Sequence, residues 1–208
     1  MPPTVTPAAP ATGLTQLPAR ELAALVRLGR LSAPDVLAAH LDRLALVAPG
    51  LADTRRAAAQ VVRLDTRLRH GLPGGALAGV PVLVRPDLLA AARLTAAGAV
   101  VLGCRDLSDA AAAAAVAAVT DGVLPLALVA AGPAGSFAPD LVRLDLTVGE
   151  ERVRVLARDV RDAGLVLGVL DAAYGTDSVL SLPRADHAVA LPEAEARLLA
   201  AAARVPRA

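Results

Sequence analysis

The chain is 208 residues long, 55% hydrophobic and carries a formal net charge of +1. It can bury a real core in one domain, and its interspersed charges leave no electrostatic footprint for nucleic acid. All 21 basic residues are arginines. Without lysine, this chain cannot supply a Schiff base, a P-loop lysine or a lysine general base.

The only aromatic residues are Phe137 and Tyr174, which removes the stacking platforms that single-strand binders use. Cys104 is the sole cysteine, excluding an intrachain disulfide and a cysteine-rich zinc site. It reads as a small buried hydrophobe. His40, His70 and His187 stand at no ligand spacing, so no metal and no cofactor are expected.

In chain order, residues 1–17 form a Pro/Ala/Thr segment that reads as a disordered tail without a secretory pattern. Residues 18–48 read as two helices. Leu22, Leu25, Val26 and Leu28 give the first an apolar stripe that Gly29 ends. Ser32 caps the second in a capping-box-like arrangement with Asp35, and Leu37, Leu41 and Leu44 form its apolar face. A third helix spans Thr54 to Arg69, with Arg55, Arg56, Arg63, Arg67 and Arg69 on a solvated face.

The loop "HGLPGGALAG" (70–79) has neither the G-x-G-x-x-G order nor a following Gly-Lys-Ser/Thr, and it precedes a strand. A phosphate cradle is therefore excluded. The strand "VPVLV" follows and ends at Arg85 and Pro86. Next come a helix over 87–97, the strand "AVVLG" (99–103), an alanine-rich helix with Ser108 as its N-cap, and the strand "LPLALVA" (124–130). Strands that are continuous apolar runs, alternating with helices, predict an α/β fold with a mostly buried sheet. Residues 141–157 alternate with period two around a Gly-Glu turn and predict a half-exposed hairpin. A helix over 159–173 follows. Residues 181–208 read as a linker and a helix near 193–204, and no apolar run is long enough to span a membrane.

Four stretches in this order resemble the amidase signature family. "GRLSAPDVLAAHLDRL" is similar to the family's opening helical pair. "LAGVPVLVR" is similar to its Gly-Val-Pro-x-x-x-Lys strand. "LTAAGAVVLGCRD" resembles its Ala-Gly-Ala strand, and "VLARDVRDAGLVLGVLDAAYGTDS" its Ala-Arg-Ser-Val-x-Asp-Ala helix with the Asp-containing turn behind it. The resemblance covers about residues 18–180. It implies a mixed α/β sheet flanked by helices, like the N-terminal half of that fold.

The resemblance also implies a history of serine-dependent amide hydrolysis through a lysine, a cis-peptide serine and a nucleophilic serine. Backbone amides of a glycine-rich loop would hold the oxyanion. Position by position, the machinery is eroded. Arg85 stands at the lysine position, where a guanidinium holds its proton throughout neutral pH and cannot act as base. Pro86 replaces the acidic residue that follows that lysine. The Gly-Gly-Ser-Ser-Gly-Gly loop that carries the relay serine is missing between "LGCRDLSD" and the alanine run. "AGSFAP" places Ser136 near the nucleophile, as a vestige, without the arginine that follows it in the family.

The expected function is thus that of a truncated, degenerate amidase-like protein acting as a non-catalytic binding or scaffold subunit. The alternative is a residual hydrolase of a small amide or ester using Ser136. Arg85 is expected to keep a positive charge at the old site and to hold a carboxylate such as that of Asp87. Family members continue past the Gly-Thr-Asp turn with further strands, so a protein partner or a second copy of the chain is expected on that side of the sheet. Neither nucleic acid nor membrane is an expected partner, and the expected compartment is the cytoplasm.

Overall fold

The computed structural model describes residues 11–103, 109–130, 141–148, 150–170, 179–181 and 189–190. Composition assigned residues 11–17 to the tail, but here they are part of the domain. They form helix α1 (Ala11–Leu14) and a turn, with Leu14 and Thr15 buried. Arg158 holds this segment by donating to the carbonyls of Thr15 and Leu17 at 3.2 and 3.3 Å.

Helix α2 (Ala19–Arg27) buries Ala19, Leu22, Ala23 and Val26. Leu28, expected on its apolar stripe, is 71% exposed because the helix has already ended. Ser32 caps α3 (Ala33–Val47), its hydroxyl accepting from the Asp35 amide at 3.1 Å, and Leu37 and Leu44 are buried. Asp53 caps α4 (Thr54–Arg69) in the same way through the Arg55 amide. The strands and remaining helices are β1 (Pro81–Val84), α5 (Leu89–Ala96), β2 (Val100–Gly103), α6 (Asp109–Thr120), β3 (Leu126–Ala130), β4 (Val142–Val148), β5 (Glu151–Ala157), α7 (Val160–Leu170), β6 (Val179–Ser181) and β7 (Val189–Ala190).

They build a seven-stranded mixed sheet in the order β2-β1-β3-β5-β4-β6-β7. Strands β1, β2 and β3 are parallel, and every pairing from β3 to β7 is antiparallel. Strands β6 and β7 bracket the stretch that read as the start of a linker, whereas the helix expected near 193–204 lies outside the described residues. The α/β fold class and the helix-flanked sheet are as the sequence predicts.

Two sequence features acquire physical reasons here. First, Gly75 and Gly98 both have φ +89°, and a Cβ on either would lie 2.2 Å from the Ala97 carbonyl oxygen or 1.9 Å from that of Gly74. The glycine-rich loop therefore packs directly on the α5–β2 turn. It donates from Leu77 to Ala97 and from Gly79 to Gly98, each at 2.9 Å. Second, the hairpin is only half as exposed as its period implied. Strand β4 alternates buried and half-buried positions, but β5 lies between β3 and β4 and is buried from Val153 to Ala157. Arg154, 3% exposed, is accommodated there by a side-on pair with its cross-strand neighbour Asp145, Nε–Oδ1 2.6 Å and Nη2–Oδ2 2.9 Å.

The edge strand β2 is closed by α4. The Gln60 side chain accepts from the Val101 amide at 2.9 Å and donates to its carbonyl at 3.3 Å, as a neighbouring strand would. A buried polar network joins the N-terminal helices to α7. Asp162 accepts from the amides of Ala19 (2.8 Å) and Arg20 (3.2 Å), and the Arg20 guanidinium donates to Asp159 and Asp162. Burial raises the Asp162 carboxyl above its usual range, against those amides and Arg20. His40 on α3 is fully buried, with Nδ1 2.7 Å from the Val36 carbonyl oxygen. Burial, with Arg158 nearby, lowers it to about 4.

A histidine held neutral in the fold stabilises fully above its ordinary value of 6.5, and that contribution is lost as pH falls toward 4. The shift corresponds to about 3 kcal/mol. Asp162, with a raised value, contributes in the opposite sense: its share is present in acid and is lost as pH rises above 3.8. Urea midpoints are expected to fall between pH 7 and pH 4.5 in the natural protein, and His40→Leu should abolish that fall. A fall of equal size in the variant would assign the acid sensitivity to other groups.

Candidate functional site

Helices α5 and α6 carry the chain from β1 out to β2 and back past β1 to β3. Strands β1, β2 and β3 run parallel, so their C-terminal ends share one end of the sheet. Arg85 is the first residue beyond β1 at this end. Its Nε lies 2.7 Å from Asp87 Oδ1, the carboxylate that the sequence offered. Its Nη2 lies 3.9 Å from Glu151 Oε1 at the start of β5.

Because β3 separates β1 from β5, the Arg85–Glu151 pair reaches across the end of β3. The Arg85 side chain is 32% exposed and its two carboxylate neighbours are more so. Asp53 joins the same end of the sheet: its amide donates to the Gly103 carbonyl at 2.6 Å and brings the start of α4 beside the end of β2. Chemically, this arrangement is a cation with two carboxylates of its own chain. No group within it can take a proton from a serine hydroxyl through a neutral amine.

Ser136 belongs to the stretch that leaves β3 at this end, and it lies outside the described residues, as do Ser108, Cys104 and His187. His70 is exposed and His40 is buried on α3, so the structure does not bring these two together in a ligand set. No group of three metal-ligating side chains occurs among the described residues, and no helix among them is long and apolar enough to cross a membrane. Sequence reading missed Glu151. The hairpin turn was legible, but nothing local revealed that β5 inserts between β3 and β4 and so brings Glu151 towards Arg85.

No family model matches the chain. A stretch of 96 residues is 42% identical to the A subunit of the glutamyl-tRNA(Gln) amidotransferase of Salinispora arenicola, covering 44% of this chain and 20% of that protein. Its counterpart from Salinispora tropica is 41% identical over 96 residues, with the same coverage. Among solved structures, a bacterial aryl acylamidase belonging to the amidase signature enzymes aligns with a TM-score of 0.61 at 18% identity, over 76% of this chain and 48% of its own. Part of this chain is thus similar to part of the amidase signature proteins.

A 6-aminohexanoate cyclic dimer hydrolase aligns likewise, with a TM-score of 0.56, 19% identity and coverage of 78% and 48%. At these identities the solved amidases establish the fold. The chain spans a fifth of the curated relatives and about half of the solved ones. Strand β1 carries the stretch that resembles the family's lysine strand, and Arg85 is the residue that follows it.

Burial separates the two arginine–carboxylate sites of this fold. Asp87→Ala and Glu151→Gln are each expected to change unfolding free energy by less than about 1 kcal/mol, since Asp87 is exposed and Glu151, half-buried, stands 3.9 Å from Arg85. Asp145→Ala removes the carboxylate from a buried guanidinium and is expected to cost about 3 kcal/mol. Urea denaturation of the three variants checks the order, and equal costs would contradict it.

Proposed function

We propose that this chain is an amidase-like protein without Lys/cis-Ser/Ser catalysis, acting in the cytoplasm as a binding or scaffold subunit. The observation that carries the reading is Arg85. It occupies the position that resembles the family's lysine, and its guanidinium is matched by Asp87 and Glu151. An arginine holds its proton at neutral pH and cannot deprotonate a serine. General-base activation is worth roughly 10²- to 10⁴-fold, so a chain without it keeps little of the reaction. The missing glycine–serine relay loop between "LGCRDLSD" and the alanine run supports the same reading.

A protein partner, or a second copy, would act on the surface that the remaining half of the solved amidases occupies in those enzymes. Their coverage of about 48% supports that placement. Nucleic acid is not part of the proposal.

Labelling of the folded protein with a fluorophosphonate probe tests the loss of catalysis. No fold-dependent labelling is expected, either in the natural protein or in Arg85→Lys, because the relay loop is missing as well. Labelling that requires the fold and disappears in Ser136→Ala would establish the alternative, a residual hydrolase of a small amide or ester. Light scattering on the eluting protein tests the assembly: a mass of about twice 20.9 kDa, or a co-eluting partner, is expected, and a lone monomer from its native source would overturn it.

A further inference from the structure

The outer face of α4 differs in composition from the rest of the chain. Its inner face, Ala57, Val61 and Leu64, is buried against the domain. The outward face carries Arg55, Arg56, Arg63, Arg67 and Arg69, all exposed. Against them stands Asp65 alone, which leaves the helix at +4 in a chain of +1, so the other residues together carry −3. Asp65 is taken by Arg69. Arg63 Nε turns back to the Ala59 carbonyl of its own helix and Arg67 Nη2 donates to the Pro73 carbonyl. Arg55 and Arg56 form no ion pair among the described residues.

The arginines are not spread evenly over this face. Positions 55, 59, 62 and 66 follow one another at intervals of four, three and four, so they line up along the exposed side. The middle of that line is Ala59 and Val62, with Val62 63% exposed, and Thr66 turns its hydroxyl inward to the Val62 carbonyl. Arg56 and Arg63 flank the line on one side, and Arg69 lies on the other. A line about 16 Å long, apolar at its middle and bordered by like charges, has the pattern by which one helix selects another: close approach at the apolar middle, charge matching at its borders. Interfaces between proteins have a related anatomy, an apolar centre with a polar rim, and are enriched in arginine.

We propose that the outer face of α4 is a docking surface for an acidic amphipathic helix of a partner protein. The partner helix lays an apolar stripe on Ala59 and Val62, and its flanking carboxylates meet Arg56 and Arg63 on one side and Arg69 on the other. This surface lies on the far side of α4 from the sheet and needs neither Ser136 nor Arg85, so it stands or falls independently of the proposal about catalysis.

The test uses the full chain and a fluorescein-labelled helical peptide of about 20 residues, with Ala and Leu at its a and d positions and Glu at e and g. A second peptide carries Lys in place of each Glu. Anisotropy at low salt is expected to show saturable binding of the Glu peptide and none of the Lys peptide. The double variant R56E/R63E should weaken binding about tenfold or more. Ala59→Arg should weaken it too, although it adds positive charge, because the seam is then blocked. Circular dichroism checks that both variants fold, and the comparison of the two peptides on the natural chain does not depend on them. Absence of saturable binding overturns the proposal. So does tighter binding by Ala59→Arg, which would mark mere polyanion adhesion, or a single-stranded DNA oligonucleotide that binds as tightly as the peptide.

Discussion

The hydrogen bonds from the amides of Ala19 and Arg20 to the carboxylate of Asp162 set the position of the whole N-terminal half of the fold. Helix α2 begins after Pro18, which has no side-chain acceptor to offer, so its first amides would be unsatisfied without help. The acceptor comes from α7, 143 residues away in sequence. Once α2 is held, Val26 lies against Gly79, where a Cβ would come within 3.1 Å of it, and the loop into β1 is fixed. Arg85 then stands where β1 ends. A carboxylate buried for this purpose is costly, which is why its ionisation is disfavoured there. The three donors around it offset that cost.

The same residue type does different work at different depths. Arg154 is buried and bound side-on by Asp145, so its charge belongs to the core of the hairpin and breaking the pair is costly. Arg85 is half-exposed, Asp87 stands in solvent and Glu151 is half-buried 3.9 Å away, so its pairing contributes less to stability than a buried pair. Under the proposed function, what Arg85 changes is the chemistry of the site. At the end of β1 a lysine could lose its proton when desolvated, whereas an arginine holds it throughout. The strand geometry is indifferent to the exchange, since the strand itself is Pro81–Val84 and every one of its residues is buried. Fold and reaction can therefore part company at this position.

How much of this was legible depended on the range of the cause. Ser32 as a cap, the apolar strands and the alternation of β4 arise from neighbours a few residues apart, and they read correctly. Leu28 misread because the helix stops one residue earlier, where the stripe pattern carries on regardless. Residues 11–17 misread because their composition is that of a tail, while their order comes from Arg158, far away in sequence. The buried state of β5 was hidden for a related reason. Arg152 and Arg154 look like an exposed face until Asp145 is placed beside one of them. At the candidate site, Arg85 and Asp87 are close in sequence and were found together, whereas Glu151 depends on strand order, which no local pattern encodes.

Strand order also bears on the proposed loss of catalysis, because it decides what a lysine at position 85 would meet. Strand β5 runs antiparallel to β3 and enters the sheet at the end where the β3 connection leaves, so Glu151 sits beside that exit and faces Arg85 across it. A lysine at position 85 would meet the carboxylates of Asp87 and Glu151, and both favour its charged form, which is the wrong form for a base. To act, it would need the proton relay that the glycine–serine loop supplies in the family, and the chain passes directly from "LGCRDLSD" to the alanine helix. On the proposed reading, the electrostatics of the strand end and the missing loop are separate obstacles, and the first would persist even if the second were repaired.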